Sequence, residues 1–242
     1  MLDFTPDGLG IPVSIHSEHG LLYGELAVLP DSPGIVVLAH AAKLLDRQDT
    51  LLAGQFRRSG FSTLSVDLLT HQEEHFPDVH NNVPLLAKRL VDFLGLLRNR
   101  MRMGELNEQP FGLFAAHTTS PVAIRVAALR DHDIAGIVCR GGLIDLAGVL
   151  YLRSLESPLL LLAEETDTPH LASNRRALQE ISCRKELKII PETGIDYAVS
   201  SGFAIALAES IQWFMTCFTP IHHPLKGAEN DVQDLGQKTA DP

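Results

Sequence analysis

Phe111-Gly112-Leu113-Phe114-Ala115-Ala116-His117-Thr118-Thr119-Ser120-Pro121 is the stretch that decides the fold. Its first half is short and apolar, as a buried strand is. Its end, Ser120-Pro121, opens a helix that runs to about Arg130, with proline in the first turn, where its missing N–H costs nothing. Strand passes into helix through only a few residues, and the same alternation recurs on both sides. Upstream, Gly34 to Ala39 is a continuous apolar run, as expected of a central strand covered on both faces. A helix over Asp46 to Arg58 follows, then a strand over Ser62 to Asp67. Downstream, strands are predicted at Ile134 to Cys139, Leu159 to Ala163 and Leu187 to Ile190. Helices are predicted at Pro169 to Ile181 and Gly202 to Phe218.

Ile11 to His16 and Leu21 to Leu29 read as an opening pair of strands. In Val83 to Met103, Leu86, Leu90, Phe93, Leu94 and Leu97 recur at the spacing of a buried helix face. His71 to Asn82 is polar and reads as a loop. This order predicts an α/β class, a mostly parallel sheet with helices on both faces. Residues 1–219 are expected to form one domain, and 220–242 a polar, disordered tail.

Composition removes several function classes. With 20 Lys plus Arg against 30 Asp plus Glu, the net charge of −10 is unsuited to phosphate backbones, so no nucleic-acid partner is expected. No apolar run approaches the ~20 residues that span a bilayer, so no membrane partner is expected either. Cys139, Cys183 and Cys217 form no Cys-x-x-Cys pair, which predicts buried thiols in a reducing compartment rather than a disulfide framework or zinc knuckle. A signal peptide is not evident at Met1 to Asp7, and the expected location is cytoplasmic.

Five strings, in this order, resemble the α/β-hydrolase superfamily, and within it the small bacterial dienelactone-hydrolase-like proteins. They are Gly34 to His40, Gly60 to Thr70, Phe111 to Phe114, Arg140-Gly141-Gly142 with Asp145-Leu146-Ala147, and Pro158 to Asp167 with Asn174 beyond. The resemblance implies an α/β-hydrolase-like, mostly parallel sheet of about eight strands. It also implies a nucleophile elbow, Gly-x-Ser-x-Gly, between strand and helix.

At the elbow this chain has Ala115-Ala116-His117-Thr118-Thr119, so His117 stands where the resemblance places serine, and Ala115 and Thr119 stand for the glycines. None of the three cysteines falls there. The position of the triad base falls on Ile195, which cannot accept a proton, whereas the triad acid survives as Asp167. Asp167 also suits a helix cap, as does Ser120. The oxyanion loop, His40-Ala41-Ala42-Lys43-Leu44-Leu45, lacks glycine. The anion-binding positions that remain are Ala41 and the backbone N–H of Thr118.

Three functions are consistent with these residues. The first is a protein that has lost serine-hydrolase activity, a pseudoenzyme that binds a small molecule in the former active-site pocket or contacts a protein partner. The second is a hydrolase with rewired chemistry, in which a His117–Asp167 dyad activates water on an ester-like substrate. The third is metal binding by His40, His117, Asp167 and His170, although no spacing matches a metal motif. No cofactor or resident metal is expected on the first two readings.

Overall fold

The computed structural model describes residues 10–41, 47–130, 132–192 and 200–218. The elements in chain order are β1 (Ile11–Ser17), β2 (Gly20–Ala27), β3 (Ile35–His40), α1 (Arg47–Arg58), β4 (Ser62–Asp67), α2 (Pro77–His80), α3 (Val83–Arg102), β5 (Phe111–Ala116), α4 (Ser120–Leu129), β6 (Ile134–Arg140), α5 (Val149–Arg153), β7 (Leu159–Glu164), α6 (Thr168–Glu180), β8 (Lys185–Ile190) and α7 (Ser201–Phe218). All eight strands form one sheet in the order β1-β2-β4-β3-β5-β6-β7-β8. β1 pairs antiparallel with β2, and β2 antiparallel with β4. Every other pairing is parallel.

The parallel strands are apolar along their whole length because each has a core on both faces. In β3, Ile35, Val37 and Ala39 enter one core while Val36 and Leu38 enter the other. β7 divides the same way, with Leu159 and Leu161 on one side and Leu160 and Leu162 on the other. The first core packs against α3 and α4 through Leu86, Leu90, Phe93, Leu97, Val122 and Val126. The second is aromatic. Phe56 of α1 lies 5.8 Å from Phe114 of β5 and 5.9 Å from Phe214 of α7, and Phe214 stacks on Phe218 at 5.7 Å. Gly112 lets α7 approach β5 this closely, since a Cβ there would sit 2.6 Å from the Phe214 ring.

One expectation needs correction. His71 to Asn82 is not simply a loop: it contains a 3-10 turn at Glu73–His75 and the one-turn helix α2. Buried polar bonds order this polar segment. Glu73 is drawn inward by Arg89, and the ring of His80 contacts the carbonyl oxygens of Ala41 (2.5 Å) and Glu74 (3.1 Å). The stretch between β6 and β7 also holds unforeseen structure, a 3-10 turn at Ile144–Ala147 followed by α5. The expected tail, residues 220–242, lies outside the described residues.

Candidate functional site

In open α/β sheets, ligands bind beyond the carboxyl ends of the strands. Here β5 ends at Ala116, β6 at Arg140 and β7 at Glu164. The chain leaves β5 through a 3-10 turn, His117–Thr119, and enters α4 at Ser120. His117 has φ 52°, in the left-handed region. Only Asp31, at φ 57°, shares this among the described non-glycine residues. Such a conformation costs of order 1–3 kcal/mol and persists only where the surroundings enforce it.

The surroundings do enforce it. Thr119 Oγ1 accepts from the Ala116 N–H at 3.1 Å and donates to the Ala116 carbonyl at 2.9 Å, closing the turn. Ser120 Oγ donates to the Gly141 carbonyl at 2.8 Å, tying the head of α4 to the exit of β6. Gly141 and Gly142, at φ 66° and 80°, lie against His117. A Cβ on Gly142 would fall 2.0 Å from the His117 carbonyl oxygen, so no larger residue fits this turn unchanged. From the far side, Asn174 of α6 donates to the Gly142 carbonyl at 2.8 Å and accepts from the Ile144 N–H at 3.1 Å.

Within this frame the His117 side chain is exposed on one side. Its Nε2 lies 3.4 Å from Arg140 Nη2, a long and therefore weak contact. Desolvation by the surrounding protein lowers the His117 pKa, and the Arg140 guanidinium adds to that. Glu164 and Asp167 oppose the shift without reversing it. This direction favours the neutral imidazole, which keeps a lone pair on one nitrogen.

Asp167 is not the partner of His117. Its Oδ2 pairs with Nδ1 of His170 at 2.7 Å, one turn along α6. The expected direct His117–Asp167 hydrogen bond is not formed among the described residues. Asp167 does occupy the N-cap position of α6, but its side chain makes no capping bond. Its short carboxylate meets the His170 ring three residues ahead instead. Ser120 is also not a side-chain cap: its hydroxyl is spent on Gly141. Ile195 lies outside the described residues, as does the oxyanion loop after Ala41. Ala41 is buried, with its carbonyl held by His80, and Thr118 is exposed beside His117. His40, His117, Asp167 and His170 do not converge as a metal site, since no cluster of three or more His, Cys, Asp or Glu ligands exists among the described residues.

The sequence reading missed Arg140 as a neighbour of His117. The available signal was an arginine closing an otherwise apolar strand before two glycines. Cys139, beside it, is the inert thiol expected, pushed up to about 12 by full burial. No described helix is long and apolar enough to cross a membrane. A groove of about 490 Å³ near Arg98, Gln109 and Asp133 lies at the amino ends of β5 and β6, opposite the elbow.

No family model matches the chain. Two Mycobacterium tuberculosis proteins, both provisionally named phosphoribosyl transferase, are 35% identical to it over 171 residues, covering 69% of this chain and 38% of theirs. The chain thus spans well under half the length of these curated relatives. Among solved structures, a dienelactone hydrolase from Anabaena variabilis superposes with a TM-score of 0.75 and 29% identity, over 86% of this chain and 97% of that one. A carboxyl esterase from the fungus Tuber melanosporum matches with a TM-score of 0.69 and 11% identity, over 90% and 89% of the two chains. An α/β serine hydrolase homologue from Coxiella burnetii matches with a TM-score of 0.59 and 14% identity, over 84% and 94%. The esterase and serine hydrolase likenesses concern the fold alone. Together with the eight-stranded sheet and the strand-to-helix elbow, these matches show that the chain has an α/β-hydrolase fold, and a dienelactone-hydrolase-like one.

Proposed function

We propose that this chain has left serine-hydrolase chemistry and uses the elbow as a small-molecule site centred on His117. One observation carries the reading: the left-handed tip of the β5–α4 turn holds an exposed imidazole where a serine hydroxyl would stand. Ser120, the nearest serine in the chain, is buried and bonded to Gly141. The dyad alternative would require Asp167 to leave His170 before it could orient His117, so the geometry favours the first reading. The name of the mycobacterial relatives adds no residue to this site. The free thiols favour a reducing compartment, consistent with a cytoplasmic protein.

A fluorophosphonate probe tests the proposal directly. The expected outcome is no covalent labelling of any serine. Stoichiometric labelling that disappears on replacing a single serine overturns it.

A further inference from the structure

Strain held by a rigid frame points toward use of the strained group. At the elbow, three side chains from different elements (Thr119, Ser120 and Asn174) and two left-handed glycines hold a single residue in place. None of their bonds reaches the imidazole itself, whose one hydrogen-bond contact among the described residues is the long one to Arg140. The frame therefore presents the ring and leaves its lone pair lightly held.

We propose that His117 is a nucleophile, whose Nε2 accepts the acyl group of an activated ester, an aryl ester or a thioester, and passes it to water. This rests on the reading of the elbow as a small-molecule site and gives that site a substrate class. A base role would need a carboxylate to orient the ring, and Asp167 is engaged by His170. A nucleophilic role needs a neutral imidazole, which the lowered pKa favours. The leaving group follows from the attacking group. Imidazole expels a phenolate or thiolate readily but not an alkoxide or an amide anion, so alkyl esters and peptides are excluded.

In the first step the Nε2 lone pair forms a bond to the acyl carbon, and the carbonyl electrons move to oxygen. The guanidinium of Arg140 is within reach to exchange its weak contact with Nε2 for that oxyanion. Collapse breaks the bond to the phenolate or thiolate, and Nδ1 releases its proton to solvent, leaving an N-acylimidazole. Water then adds to the acyl carbon and the C–N bond breaks. The products are a carboxylic acid, released as its anion with a proton to solvent, and regenerated neutral His117.

The test uses the full chain with p-nitrophenyl acetate, rapid acid quench and peptide mass mapping. The expected result is one acetyl group on the peptide carrying His117, formed with a burst of p-nitrophenolate. The His117→Asn variant should lose at least about tenfold in acetylation rate, a barrier change of about 1.4 kcal/mol. Asparagine adopts positive φ readily, so the turn survives and circular dichroism should match the parent. The rate should fall in acid with a midpoint below the ordinary imidazole value of 6.5, because only the neutral ring attacks. An unchanged rate in His117→Asn, or acetyl found only on other residues, overturns the inference. If neither His117 acetylation nor serine labelling occurs, only the nucleophile is lost. A serine labelled by fluorophosphonate removes the reading beneath it as well.

Discussion

The exits of β4 and β5 both gather charged side chains at the carboxyl end of the sheet, but they are built on different terms. Beyond β4, Arg89 is fully buried and forks onto Glu73, Nη1 to Oε2 at 2.9 Å and Nη2 to Oε1 at 2.7 Å. Nη1 also donates to the Leu68 carbonyl at 2.7 Å, and Glu73 accepts from the Thr70 N–H and hydroxyl at 2.9 and 3.0 Å. Beyond β5, Thr119, Ser120 and Asn174 make their short bonds to the backbone, and among the described residues the titratable ring of His117 has one 3.4 Å hydrogen-bond contact. The first assembly spends its side chains on each other and is rigid. The second spends its neighbours on the backbone and keeps a reactive group available. Dense pairing of side chains marks structure, and a lightly held group on a strained backbone marks a site for chemistry.

Substitutions should separate the two regions. The largest effect is expected for Glu73→Ala, which strands the Arg89 charge in the core and should cost about 3–5 kcal/mol in chemical denaturation. If that variant is as stable as the parent, the β4 exit is not the anchor it looks to be. Acid should act on the same pair. Burial pushes the Glu73 carboxyl up, but Arg89 and Thr70 outweigh it and hold the pKa at about 2, against 4.5 ordinarily. A carboxyl depressed on folding stabilises the protein above its unfolded value. That stabilisation, roughly 3 kcal/mol, should be lost as pH falls from about 4.5 to 2. Urea titrations across this range should show it, and Glu73→Gln should flatten that part of the profile.

At the elbow, Gly142→Ala should cost about 1–3 kcal/mol, since the added carbon meets the His117 carbonyl and the residue keeps positive φ. It should also move the His117 ring resonances in NMR. Stability loss without that movement would uncouple the glycine from the elbow. The smallest effect belongs to Asp167→Asn. Its pair with His170 is partly exposed, and its loss should cost no more than about 1 kcal/mol in thermal denaturation. A much larger loss would give Asp167 a structural weight that the elbow does not otherwise show.

The fold was legible because it is written in local period and punctuation. The apolar runs of β3, β5 and β7 and the prolines at the starts of α4 and α6 required no knowledge of distant contacts. The elbow's position was legible for the same reason. Its wiring was not. Ser120 bonds to a residue 21 positions away and Asn174 to one 32 away, and no local pattern encodes either. The Asp167–His170 pair is different. Its i, i+3 spacing was visible, but the resemblance drew the carboxylate toward the ring at 117 instead. The order within His71 to Asn82 was not legible either, since a polar stretch with proline reads as a loop until the bond from His80 to Ala41 is known.

The clamp around position 117 is made by neighbours that grip the chain and not the side chain it carries. It works as an interchangeable fitting: a residue that tolerates the left-handed tip is presented at the same place beyond the end of β5. The reagent at this address can then be exchanged by a single substitution, while Thr119, Ser120, Gly142 and Asn174 stay as they are. A scaffold of this kind separates the history of its chemistry from the history of its architecture.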